Sequence, residues 1–184
     1  MTIIYIALAS VVVGLIAALA LAIKIMSEDE GDQQVQFIGK AIREGAMAFL
    51  SREYRLLSIF VVGITVIIAL LIDYDITGKV ADSGKSINSS ELVPGTALAY
   101  LIGAIGSGLA GFIGMSIAIR ANTRTAVKAQ QGLNAALRVA FNSGSVMGIS
   151  VVSIGLLGMT IIYWVFQDTT IVAGFGFGAS SIAL

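Results

Sequence analysis

Six of the eleven acidic residues in this 184-residue chain, those on the side expected to be cytoplasmic, fall in two places. Glu28, Asp29, Glu30 and Asp32 crowd one short polar segment, and Glu44 and Glu53 follow on a helical stretch. Converging carboxylates hold hard cations such as Mg2+, and a free one can orient an attacking water. The spacing here does not point to that chemistry. The first four lie in SEDEGDQQVQ around the breaker Gly31, which has the make-up of a solvated turn, and Asp32 is placed to cap the helix that follows. Glu44 and Glu53 stand nine residues apart on different helix faces, each beside a basic residue, with Lys40 and Glu44 forming an i,i+4 pair. No His and no Cys occur, which removes imidazole acid–base chemistry, thiolate nucleophiles, thiolate metal sites and disulfides together. No catalytic, cofactor-binding or metal-binding residue is assigned, and no acid is expected at mid-membrane depth in the first four spans.

The basic residues are more ordered. Arg120, Arg124 and Lys128 recur every four positions and so stack along one helix face. Like charges at that spacing repel by a few tenths of a kcal/mol, so something negative must compensate: lipid phosphates, a protein carboxylate or a phosphate substrate. Headgroup contact is the plainest of the three. Gly132 is expected to end this helix in a left-handed cap. Beyond it, Asn134, Arg138, Asn142 and Ser145 form a polar stripe. Arg138 can snorkel to the surface, whereas Asn142 and Ser145 are expected to face other helices rather than lipid. Gly144 and Gly148 make a GxxxG pair.

The elements that carry these residues are membrane helices. The chain is 57% hydrophobic and 12% charged, with mean hydropathy +0.95, whereas soluble domains are about 25% charged. Formal net charge is zero, so nothing favours a nucleic-acid partner. Spans are expected at about 2–24, 36–73, 95–130, 133–166 and 171–184. The first run is uncharged and long enough to cross about 30 Å of hydrocarbon. A signal peptide is the alternative, but no basic residue precedes the run and Lys24 follows it. The second helix shows a face of Phe37, Ile38, Ile42, Gly45, Ala46 and Phe49, and Arg52 and Arg55 precede its apolar run, so its first half is expected to stand clear of the bilayer. The stretch from Asp73 to Gly95 is polar and holds a weak glycosylation triplet, Asn88-Ser89-Ser90. In the third span, Gly103, Gly106 and Gly108 spell a phosphate-loop-like string. No strand precedes it and no Lys-Ser/Thr follows, so the glycines read as a smooth face for close helix approach. Tyr163 and Trp164 close the fourth span as an interfacial anchor.

Basic residues set the topology. Lys24, Lys40, Arg43, Arg52, Arg55, Arg120, Arg124, Lys128 and Arg138 fall on one side, and Lys79 and Lys85 on the other. The first side is cytoplasmic by the positive-inside rule, which puts the N-terminus outside. The fifth apolar segment stops at Leu184 without cap or polar tail, and the expectation is a piece of a longer polytopic protein. The fold class is all-α, a polytopic membrane helix bundle.

Three phrases also resemble one family. AIREGAMAFLSREYR (41–55), IRANTRTAVKAQQGLNAALRVAFNSGSVMG (119–148) and GFGFGASSIAL (174–184) are similar, in order and spacing, to the membrane-bound pyrophosphatases. The resemblance implies an N-terminal portion: four outer-ring helices and the start of a fifth, inner-ring helix, in a homodimeric protein of about sixteen helices. It implies hydrolysis of pyrophosphate coupled to movement of H+ or Na+ in a prokaryotic cell membrane. It also implies Mg2+, K+ in the forms that depend on it, and substrate-binding Asp, Lys and Asn residues that all lie beyond Leu184. The 184-residue piece alone is expected to be inactive. Two other readings stand beside this one: a small non-catalytic helical membrane subunit, and a channel or transporter half lined by the Asn134–Ser145 stripe.

Overall fold

The structure, a computed structural model, describes residues 2–74 and 94–182. The expected glycosylation triplet, with Lys79 and Lys85, lies outside the described residues. The fold is all-α, with no strand among the described residues: α1 (Thr2–Met26), α2 (Gln33–Ile68), α3 (Gly95–Ala129), α4 (Leu133–Phe166) and α5 (Thr169–Ile182). Helices α1 to α4 are each long and apolar enough to cross a membrane.

Local chemistry sets the helix ends. The Asp32 carboxylate accepts from the Val35 amide at 2.9 Å, which fixes the start of α2 at Gln33, three residues before the expected position. The far end of α2 widens into a π turn, Ala69–Asp73, closed by Tyr74 N–H donating to the Ala69 carbonyl at 2.9 Å. That turn carries Asp73 to the start of α3, where its two oxygens accept from the amides of Thr96 at 3.2 Å and Ala97 at 2.9 Å. A carboxylate there satisfies two orphan donors and meets the positive end of the helix dipole.

Gly132 does not form the left-handed cap expected of it. Helix α3 ends by tightening, with the amides of Gln130, Gln131 and Gly132 donating to carbonyls three residues back. Gly132 (φ 130°, ψ 161°) then turns the chain into α4 through an extended, glycine-only conformation. The left-handed cap belongs to Gln167 (φ 50°, ψ 24°) at the end of α4.

Helix α3 is the hub. It packs on α4, α5 and α2, while α1 packs mainly on α4. Its buried positions are mostly small: Gly95, Ala97, Ala99, Gly103, Ala104, Ala110, Gly114 and Ala121. Large apolar side chains such as Ile3, Phe37, Phe141 and Val152 point outward instead. This is the arrangement of helices whose solvent is lipid, where association comes from close packing. The glycines bear this out. A Cβ on Gly103 would overlap the Phe175 carbonyl, one on Gly178 would overlap the Tyr100 carbonyl, and one on Gly174 would lie 3.0 Å from the Thr96 carbonyl. So α3 and α5 run parallel with backbone against backbone. Gly114 receives Met147 of α4, and Gly14 of α1 receives Ser153.

Helix α2 meets α3 in antiparallel register. Gly39 admits Thr123, and Tyr54 donates to the Gly108 carbonyl at 2.8 Å. The apolar face from Phe37 to Phe49 is not the packing face; Phe37, Ile38 and Phe49 are more than half exposed. Gly39, Leu50, Tyr54 and Val61 make the contact or are buried, because the small-residue surface of α3 receives them most closely.

Candidate functional site

The most ordered polar cluster joins the α1–α2 connection to the end of α3. Arg124 is 3% exposed. Its Nε donates to the Glu28 carbonyl (3.0 Å) and its Nη1 to the Arg120 carbonyl (2.7 Å). Its Nη2 donates to the Met26 carbonyl (3.3 Å) and to the Glu30 carboxylate (2.7 Å). Lys128 Nζ lies 2.8 Å from the Glu28 carboxylate. The guanidinium thus neutralises one acid and satisfies three carbonyls, which a compact ammonium could not do with the same geometry. Gly31 (φ 87°) presses its backbone on Val127, and Asp29 accepts from the Gly31 amide at 3.0 Å. The segment read as a solvated turn is therefore a strap locked onto α3. The stripe is compensated here by protein carboxylates and carbonyls, so the headgroup reading fails for Arg124 and Lys128. Sequence spacing gave the stripe but could not show which of four nearby acids would fold back onto it.

Among the described residues, no group of three acidic side chains could hold a metal. Lys40 and Glu44 form the expected pair, at 4.0 Å and widely exposed.

Four basic residues share one level. Ile25, Ala121 and Val139 belong to a single packed cluster, and each follows directly on a basic residue: Lys24, Arg120 and Arg138. Arg43 of α2 lines a cavity with Arg120. This is the basic end of the bundle. Arg52, Glu53 and Arg55 lie elsewhere. The Tyr54–Gly108 bond places them beside the middle of the apolar run of α3, twelve residues and so about 18 Å along that helix from Arg120. All three are exposed on α2. The alignment of α2 on α3 is set where Gly39 admits Thr123 and where the Gly108 carbonyl accepts from Tyr54.

The α4 stripe divides. Asn134, Arg138 and Asn142 line a cavity of about 300 Å3 with Lys24, Glu28 and Lys128. Ser145, expected to face a helix, is exposed, and Gly144 and Gly148 meet no neighbour within 4 Å. The buried hydroxyls of α4 are Ser143, Ser150 and Ser153, which lie on the face toward α1 and α3. Their spacing of seven and three was the signal available in the sequence.

Comparison with known proteins follows the same outline. The profile of the family described as inorganic H+ pyrophosphatase matches residues 12–184. A Methanosarcina mazei relative named a K+-insensitive pyrophosphate-energized proton pump is 41% identical over 160 residues, 87% of this chain and 21% of its own. A Moorella thermoacetica relative, named K+-insensitive pyrophosphate-energized proton pump 2, is 38% identical over 94% of this chain and 24% of its own. A Clostridium tetani relative, provisionally named a K+-stimulated pyrophosphate-energized sodium pump, is 40% identical over 94% of this chain and 23% of its own. The chain thus spans about a quarter or less of these relatives. No solved structure matches it.

Proposed function

Since the chain belongs to the inorganic H+ pyrophosphatase family, we propose that it is the N-terminal membrane portion of a pump that hydrolyses pyrophosphate to move protons, or in a second reading sodium ions, across a bilayer. The observation that carries this reading is a family match over residues 12–184 of a membrane helix bundle. It favours the pump over a small non-catalytic subunit. The two ions stay side by side because relatives of similar identity carry names of both kinds.

In this reading the chain is scaffold. Pyrophosphate hydrolysis needs Mg2+ to neutralise phosphate oxygens, and the acids here do not fit that ion: Glu28 and Glu30 are engaged by Lys128 and Arg124. The metal, the substrate and any K+ site are assigned to parts of the parent protein outside these residues. The four-residue basic level is the cytoplasmic boundary and the N-terminus is outside, following the surplus of Lys and Arg at that end. The parent is a homodimer in a prokaryotic cell membrane.

Vesicles holding the full-length protein test this. On addition of Mg-pyrophosphate they should release phosphate and either acidify or accumulate Na+, while the purified 184-residue chain turns over nothing. Mg-dependent hydrolysis by the isolated chain would overturn the scaffold assignment, and full-length protein that releases phosphate without ion movement would overturn the pump.

A further inference from the structure

We propose that the groove between α2 and α3 is a binding site for one acidic phospholipid, its phosphate held between Arg43 and Arg120 and one acyl chain running along the groove toward Tyr54 and Ser58. Two cavities, each of about 430 Å3, make up the groove, and they meet at Phe112. The one at the basic end is lined by Arg43 and Arg120 with Ser116. The deeper one is walled by apolar side chains including Leu57, Ile105 and Leu109, with only Tyr54 and Ser58 adding hydroxyls.

Charge identifies the occupant. Arg124 and Lys128, the other members of the stripe, are matched by Glu30 and Glu28. Arg43 and Arg120 have no ion pair among the described residues, and Arg120 is half-buried. Glu30 borders a neighbouring cavity with both but is bonded to Arg124, so two guanidiniums on facing helices without an ion pair call for an anion, and guanidinium suits the phosphate oxygens well. Both sit at the level of Lys24 and Arg138, where α1, α3 and α4 all pass from apolar to basic, which is the level of headgroups. An apolar channel beneath two arginines fits an amphiphile and not a free anion. From Arg43 to Ser58 the groove runs about 22 Å at 1.5 Å per residue, enough for an acyl chain reaching past the ~15 Å of one leaflet. Phe112, where the two cavities meet, lies about half a turn round α3 from Gly103, which seats α5, and Ile182 of α5 borders the deeper cavity.

Full-length protein, delipidated in mild detergent, would be titrated with phosphatidylglycerol or phosphatidylcholine and examined by native mass spectrometry. One phosphatidylglycerol per chain should persist at activation energies that strip phosphatidylcholine. Arg43→Gln with Arg120→Gln should weaken that retention by on the order of tenfold or more, and Lys40→Gln, at a cation already paired, should not. The single Arg43→Gln change, at an exposed position, should show part of the loss and guards against a misfolded double variant. A spin-labelled acyl chain should quench a fluorophore on Ser116→Cys in phosphatidylglycerol but not in phosphatidylcholine. Equal retention of both lipids, unchanged retention in the double variant, or a position 116 closed to lipid because another protein segment covers it would each overturn the proposal.

Discussion

The Tyr54 hydroxyl donates to the Gly108 carbonyl at 2.8 Å, across 54 positions of sequence and at the middle of the apolar run of α3. It joins the two helices well away from the Asp73 contacts with Thr96 and Ala97 at the other end of the pair. Together with the Gly39–Thr123 contact it fixes how the two helices are aligned along their length.

Tyr54→Phe should therefore weaken the pairing without abolishing it. The Gly108 carbonyl remains within a helix, so the loss should be about 0.5–1.5 kcal/mol, the net worth of one hydrogen bond. Detergent-solubilised protein titrated with a denaturing detergent and followed by circular dichroism would measure it. No measurable loss would mean that the ring rather than the hydroxyl carries the contact, and a loss above about 3 kcal/mol would exceed what one hydrogen bond accounts for.

Arg124→Lys should cost about 2–4 kcal/mol despite keeping the charge, because one ammonium cannot reach carbonyls of Met26, Glu28 and Arg120 and also Glu30. Glu30→Gln should cost about 1 kcal/mol or less, since that carboxylate is half exposed. In the full-length protein Arg124 variants should lower the yield of assembled protein more than the activity of each folded molecule. The reverse result, in quantitative blots set against phosphate release, would return the stripe to the active site.

Gly178→Ala and Gly144→Ala should differ sharply. A Cβ at 178 meets the Tyr100 backbone, which cannot swing aside, so α3 and α5 must separate at a cost of about 1–3 kcal/mol or more. A Cβ at 144 meets nothing within 4 Å, and alanine should strengthen the helix by up to about 1 kcal/mol in the 184-residue chain. If Gly144→Ala instead destabilises the full-length protein, another segment of the parent packs on that face. Thermal unfolding of both lengths distinguishes the cases.

Tyr100→Phe should be neutral or slightly stabilising. The side chain is fully buried, its ring lies 5.4 Å from that of Phe177, and its hydroxyl has no hydrogen-bond partner among the described residues. Removing an unpaired buried hydroxyl while keeping the ring relieves a desolvation cost. A loss of about 1 kcal/mol or more on thermal unfolding of the full-length protein would show that the hydroxyl has a partner elsewhere in the parent.

Much of this could be read in advance from residue types. The apolar runs gave the helices, the glycines of α3 gave a face for close approach, and Asp32 gave a cap, because each follows from local chemistry. Pairing between distant segments could not be read in the same way. Nothing in the spacing of Glu28 and Glu30 told that they would close on Lys128 and Arg124. The level at which Glu53 sits beside α3 depends on the Gly39–Thr123 contact and the Tyr54–Gly108 bond, which leave no periodic trace. Ser145 and Ser153 look alike in sequence, yet the angle at which α4 meets α1 exposes one and buries the other.

The π turn at Ala69–Asp73 acts as a phase adjuster. One extra residue in a helical turn rotates everything after it by about 100°, and here that rotation brings the Asp73 carboxylate onto the amides of Thr96 and Ala97. Deleting one residue from this turn would leave α2 intact as a helix but aim the acid away from α3. The join between the second and third helices is thus sensitive to the count of residues more than to their kind.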